Sequence, residues 1–325
     1  RARISAMDID VSAPAASGPV ICLGEALVDV VIRDGQTLGE HVGGSPFNVA
    51  CGLARLDHPT TLACWVARDE RGEGIIAAAG ANGLALAPGS DDADRTSTAQ
   101  AVLDEQGKAT YTFDLTWQLP ELTGMDDVAH VHTGSIGATL EPGGQQVIDA
   151  LKAVHGHASI SYDPNARPAI MGSPDEVLGR IEEIISLSTL VKASDEDIAW
   201  LHPDVDLDDV LSQWMDMGPS LVVATRGELG ARVLLGDGSF HDVPPMKVAL
   251  VDTVGAGDSF MAGLVSGLLD ADLLGGEGAA ERLRTANWGQ IRSALDRAAA
   301  TSGITVSRAG AYGPDRGEVA YVLAR

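Results

Sequence analysis

Short apolar runs alternate with longer amphipathic ones along most of this chain, and no other property restricts its fold as much. Runs at residues 20–23, 61–66, 129–132, 159–162, 190–192 and 221–225 have strand length and β-branched content. Between them, helical spacing recurs near 46–55, 73–82, 145–154, 175–187 and 209–217. Such alternation predicts an α/β fold of three layers, a mostly parallel central sheet with helices on both faces. Two regions break the rhythm. Residues 28–32 read as a strand soon after the first, and 96–103 with 110–113 read as a hairpin about Asp104, Glu105, Gln106 and Gly107. They predict a separate small sheet, which the residues alone describe only as a surface hairpin. Toward the end come a second hairpin (231–235 and 239–243), a helix near 290–301 and a return segment at 305–311.

The stretch DTVGAGDSFMAG, residues 252–263, carries a glycine-rich loop into an apolar helix. Gly255, Ala256 and Gly257 leave backbone amides open to close approach, and Asp258 stands where unpaired amides of a helix N-terminus converge. Two readings follow: an anion site sharing one turn with a carboxylate base, or an ordinary N-cap before Ser259, Phe260 and Met261. Far upstream, residues 43–56 read GGSPFNVACGLARL. Together these two stretches resemble the paired signatures of the PfkB/ribokinase family of sugar and nucleoside kinases. GEALVD (24–29), DPNAR (163–167) and TRGELGA (225–231) lie between or beside them, and the likeness runs from about 20 to 312.

That resemblance implies a ribokinase-like fold over residues 19–325, with a β lid formed discontinuously by about 26–44 and 95–118, hinged at Gly43 and Gly44. In several relatives the lid also joins two copies, so a homodimer through it is expected. The implied reaction is transfer of the γ-phosphate of ATP to a sugar hydroxyl, with Asp258 as general base and Gly255, Ala256 and Gly257 as the anion hole. Magnitudes restrict how Asp258 acts. A carboxylate of pKa about 3.9 facing a hydroxyl of about 15.7 would need roughly 16 kcal/mol for prior deprotonation. Proton transfer must therefore accompany P–O bond formation.

The resemblance puts Asp29 and Asn48 on the sugar hydroxyls, where local context alone reads a solvated strand end and a helix-start residue. It leaves Glu25 a polar neighbour without a defined role. The chain lacks GxxxxGK[ST] and the dinucleotide fingerprint, so Thr225 and Gly227 are expected to meet the nucleotide from a plain turn. Asn165 and Arg167 follow a strand end, where open α/β sheets bind ligands, and are expected to reach nucleotide or substrate. Many relatives carry Asn-x-x-Glu to organise Mg²⁺ through water; this chain has Ser194 and Asp197 there. Asp197 is thus an outer-shell metal residue or a helix cap. K⁺ is expected at Asp252 and Val254, beside the return segment 307–310. The pairs His130/His132 and His155/His157 gather no further ligands and read as structural.

GEALVDV, DPNAR and KASDED look most like the fructokinase branch. Residues 111–120 hold no Arg or Lys, which favours a neutral ketose over the acid substrate of the similar 2-keto-3-deoxygluconate kinases, although Arg167 weakens that inference. Ribokinase is a further alternative, and a sugar or nucleotide sensor without catalysis is the alternative of another class.

Composition restricts partners. With 22 Lys and Arg against 46 Asp and Glu, a formal charge of −24 repels nucleic acid and anionic lipid, whether it serves a ligand or only solubility. Any polyphosphate must then rely on local amides, a few cations and Mg²⁺. Cys22, Cys51 and Cys64 lack disulfide or metal spacing and read as core residues in a reducing compartment. With no secretory or membrane-spanning segment legible, a cytoplasmic protein is expected, and residues 1–18 read as a disordered leader.

Overall fold

The computed structural model describes residues 18–104 and 109–325. Except for Gly18 the expected leader lies outside them, as do Glu105, Gln106 and Gly107 of the expected hairpin turn. The chain opens with β1 (Val20–Leu23), β2 (Leu27–Arg33), β3 (Gln36–Gly43), α1 (Ser45–Arg55), β4 (Thr60–Ala63), α2 (Glu70–Ala81) and β5 (Ala85–Leu86). It continues with β6 (Thr98–Leu103), β7 (Ala109–Asp114), β8 (His130–Gly134), α3 (Gly143–Val154), β9 (Ser159–Asp163), α4 (Pro168–Met171) and α5 (Pro174–Leu187). Then come β10 (Leu190–Ser194), α6 (Asp195–Leu201), α7 (Leu207–Met217), β11 (Leu221–Thr225), β12 (Ala231–Leu235) and β13 (Phe240–Val243). Four helices end the chain: α8 (Ala256–Asp270), α9 (Ala279–Thr285), α10 (Trp288–Val306) and α11 (Arg316–Leu323).

Among the described residues, nine strands form one sheet in the order β13-β12-β11-β10-β9-β8-β1-β4-β5. Neighbours from β11 to β5 pair in parallel, and β12 and β13 add an antiparallel edge. Alternate side chains sort to two cores. Val20, Cys22, Leu190, Leu221 and Val223 join α1, α2, α8 and α10, whereas Ile21, Leu23, Val191, Val222 and Ala224 join α3, α5 and α7. The expected three layers are thus present. Close approach of α8 and α10 depends on small residues: a Cβ on Gly267 would lie 2.5 Å from Ala294 Cα.

A second sheet, in the order β3-β2-β6-β7, stands apart as the expected lid, with β2 and β6 parallel. It returns to the main body through Gly44, at φ 110°, where a Cβ would lie 2.5 Å from the Glu25 carbonyl oxygen. Only glycine fits that crossing. The return segment differs from expectation, since its first two residues complete α10. A further helix, α11, begins with Asp315 and Glu318 in a capping box that the pattern reading passed over.

Candidate active site

The parallel strands end together, so Asp163, Ser194 and Thr225, the last residues of β9, β10 and β11, lie at one edge of the sheet. The N-terminus of α8 meets that edge. Gly255 caps it at φ 75°, close against Ala311, and Asp258 falls in the first turn, 7% exposed. Its carboxylate does not cap its own helix. Ser45 Oγ donates to Oδ1 at 2.6 Å and Asn48 Nδ2 to Oδ2 at 2.8 Å, so α1, the helix that follows the lid, grips the loop motif from 213 and 210 residues away. Asn48, expected on the sugar, donates here to Asp258. Ser45, within GGSPFN, shows no role in the sequence alone.

A cleft of about 410 Å³ opens on one side of α8, lined by Thr225, Gly227, Ala256, Gly257, Phe260 and the loop through Pro244, Pro245 and Met246. Thr225 and Gly227, expected at a nucleotide, both line this cleft. Asn165 is not in that lining; its side-chain oxygen accepts from Arg167 Nη1 at 2.9 Å. Arg167 also donates to the carbonyls of Asn165 and Ala166, and its charge bears on Glu25 and Asp29. Arg167 thus lies near the carboxylates of Glu25 and Asp29. On the lid, Asp29 pairs in register with His41 and approaches Gly43, where a Cβ would lie 2.7 Å from Oδ2. Loss of surrounding water raises the Asp29 carboxyl above its usual range, opposed by His41 and Arg167.

Glu25 gains a defined place. Its buried carboxylate accepts N–H bonds from Ser45 at 3.3 Å and Gly137 at 2.8 Å, tying the start of α1 to the turn after β8. Burial pushes its pKa up to about 7 despite those donors and the charge of Arg167.

Asp197 caps α6. Oδ1 accepts from Ala166 N at 2.9 Å and Oδ2 from Ser194 N at 3.1 Å, while Ser194 Oγ accepts from Asp197 N, completing a capping box. Asp252 accepts from Val254 N at 3.1 Å and Gly310 N at 2.8 Å, which draws the return segment under the loop and lowers its pKa. His130 and His132 are spent on Ser159 and Ser161, with burial pushing both pKa values down to about 3. His155 and His157 pair separately with backbone carbonyls of Leu187 and Met125. The three cysteines are buried free thiols, Cys51 and Cys64 pushed up to about 12.

One charge beneath the loop went unread. Lys192, in mid-β10, donates to Asp163 Oδ2 at 2.7 Å, and both side chains are buried. Burial alone would depress the lysine, but Asp163, Asp197 and Asp258 together raise it. The signal was present in LVKAS, a lysine inside an otherwise apolar parallel strand.

Residues 18–316 match the pfkB family carbohydrate kinase description. The chain belongs to that family. It is thus a carbohydrate kinase, a phosphotransferase with a sugar hydroxyl as acceptor. The fructokinase of Rhizobium leguminosarum bv. trifolii is 35% identical over 269 residues, covering 78% of this chain and 81% of that one. The fructokinase of Klebsiella pneumoniae is 31% identical, covering 78% and 85%. A double mutant of the Vibrio cholerae fructokinase, solved with fructose, ADP and potassium ion, superposes with a TM-score of 0.74 at 25% identity, covering 95% of this chain and 99% of that one. The Xylella fastidiosa fructokinase with bound ATP has a TM-score of 0.80 at 20% identity over 95% of this chain and 98% of that one, a likeness of fold. These relatives support the fructokinase branch of the family. No helix among the described residues is long and apolar enough to cross a membrane.

Proposed function

We propose that this carbohydrate kinase transfers the γ-phosphate of ATP to a primary hydroxyl of fructose, with Asp258 as general base. The observation that carries the reading is the double grip of Ser45 and Asn48 on Asp258 at the junction of cleft and lid. Each carboxylate oxygen keeps a lone pair for the sugar. As the hydroxyl oxygen bonds to Pγ, its proton passes to Asp258, the bond from Pγ to the ADP oxygen breaks, and ADP leaves with that electron pair. The amides of Gly255, Ala256 and Gly257 stabilise charge on the transferring group. ATP occupies the cleft beside Thr225 and Gly227. Mg²⁺ supplies Lewis-acid charge on the phosphates, and Asp197, whose two oxygens each accept one amide, suits a hold through water. Potassium at Asp252 and Val254, with Gly310 nearby, belongs to the same reading, as does a homodimer through a lid that leaves Leu38, Val102 and Tyr111 exposed.

Charge on the lid side supports a neutral acceptor. Arg167 there faces two carboxylates, Glu25 and Asp29, and is already bonded to Asn165 and Ala166. The carboxylate of an acid substrate would add a third negative charge beside those two. The test is ADP release from Mg-ATP over fructose, ribose, glucose, adenosine and 2-keto-3-deoxygluconate, with K⁺ present. Fructose is expected to give the highest kcat/KM; a higher value on the acid or on ribose overturns the assignment.

A further inference from the structure

Lys192 has no part in the reaction just described, yet its placement is unusual. Among the described residues it is the only Lys or Arg that is fully buried, at 3% exposure. Its Nζ lies 3.0 Å from the point where a Cβ on Gly257 would stand, directly against the anion loop. Three carboxylates act on it: Asp163 at 2.7 Å, then Asp197 and Asp258. As a purely structural pair, Lys192 and Asp163 are poorly explained, because two apolar side chains of similar volume would fill the space without desolvating charges. A functional account is better matched to the surroundings. A polyphosphate entering beside Asp163, Asp197 and Asp258 adds negative charge to a place already acidic, in a molecule carrying −24 overall. A fixed cation offsets that charge without reorganisation during the reaction.

We propose that Lys192 is a charge-balancing residue of phosphoryl transfer, anchored by Asp163 beneath Gly257 so that its ammonium offsets the three carboxylates and the charge gathering on the transferred group. The proposal rests on the reading of Asp258 and the anion loop given above. Lys192 keeps its proton throughout; the hydroxyl proton goes to Asp258 and the bonding pair to ADP. Its charge matters more as the phosphoryl group moves than while ATP is merely bound, so kcat is expected to respond more than KM.

The test compares wild type, Lys192→Met, Asp163→Asn and the double variant, with urea midpoints measured beside kinetics on the best sugar. Lys192→Met strands a buried carboxylate and is expected to lose stability as well as rate. The double variant removes both charges and is expected to fold with a midpoint near wild type while kcat stays about 10²- to 10³-fold low and sugar KM moves less than about threefold. Recovery of wild-type kcat in the double variant would show a pair that only fills the core. Calorimetric titration with Mg-ADP, alone and with aluminium fluoride, gives a second readout free of turnover. ADP affinity is expected to persist in the double variant while the gain from aluminium fluoride falls by about tenfold or more; an unchanged gain overturns the proposal. Wild type inactive on every sugar would count against the reading of Asp258, and the fluoride titration would still decide Lys192.

Discussion

The two walls of the site are built differently. On the proposed phosphate side, Asp258 at a helix start, Lys192 in mid-strand and Asp163 at a strand end are buried, and each is held by partners distant in sequence. On the sugar side, Asp29 stands on a four-stranded sheet whose outer strand β3 is mostly exposed. Buried charges in a dense core keep one geometry, because moving them leaves them unpaired. On the other wall β2 is anchored in the core through Val28 and Val30, and only the exposed outer strand β3 shifts at lower cost. Under the proposed function, the chemistry would lie on the more rigid wall and acceptor recognition on the more exposed one.

The same substitution in both walls gives the widest contrast. Gly267→Ala places a methyl 2.5 Å from Ala294 Cα between α8 and α10, and about 1–3 kcal/mol of stability should be lost. Gly39→Ala, on β3, meets only the far end of His41 at 3.2 Å and should change stability by less than about 0.5 kcal/mol. Urea unfolding of the pair checks this, and equal midpoints would erase the distinction.

A milder change sharpens the phosphate wall. Ser45→Ala removes one hydrogen bond to the Asp258 carboxylate, and kcat should fall by about tenfold, corresponding to roughly 1.4 kcal/mol. On the lid, Asp29→Asn should raise fructose KM several-fold while kcat stays within about threefold, the signature of lost binding shared by ground and transition states. Steady-state kinetics separate the two; a kcat loss at Asp29 as large as that at Ser45 would break the division.

Acid should act through the buried wall. His58, His130 and His132 are pushed down to about 4, 3 and 3, so the unfolded chain binds their protons first and stability is lost as pH falls below about 6.5. Glu25 and Asp163, raised to about 7 and 6, take up protons in the folded state first and oppose that loss down to about pH 4.5. Thermal unfolding should therefore change gently between pH 6.5 and 4.5 and steeply below. In Glu25→Gln the decline should begin nearer 6.5. The smallest effect is expected at Arg95 and Asp114, an ion pair on the lid with both side chains more than half exposed: Arg95→Ala should cost under about 1 kcal/mol.

Much of the fold was legible because β1, β11 and β12 are runs whose own residues demand burial, and their bounds match the pattern reading. Three lid strands, β2, β6 and β7, followed from broken alternation, whereas β3 was not read as a strand because QTLGEHVG lacks an apolar run. Less visible were groups defined by partners: Ser45 has meaning only through Asp258, and Glu25 only through the amides of Ser45 and Gly137. Local context read Asn48 only as a helix-start residue, because nothing near it in sequence names Asp258 as its acceptor. Lys192 was different. A charge in mid-strand contradicts its neighbours, and the contradiction itself was the signal. α11 escaped because eight residues with one buried side chain, Val319, leave little periodicity to detect.

The most direct test of the account is single-turnover phosphoryl transfer by Asp258→Ala, saturated with Mg-ATP and fructose, beside calorimetric binding of each ligand. The account predicts a rate about 10²- to 10⁴-fold below wild type with both ligands still bound within a few-fold of normal affinity. A near-normal rate with intact binding would show that the carboxylate gripped by Ser45 and Asn48 is not the base.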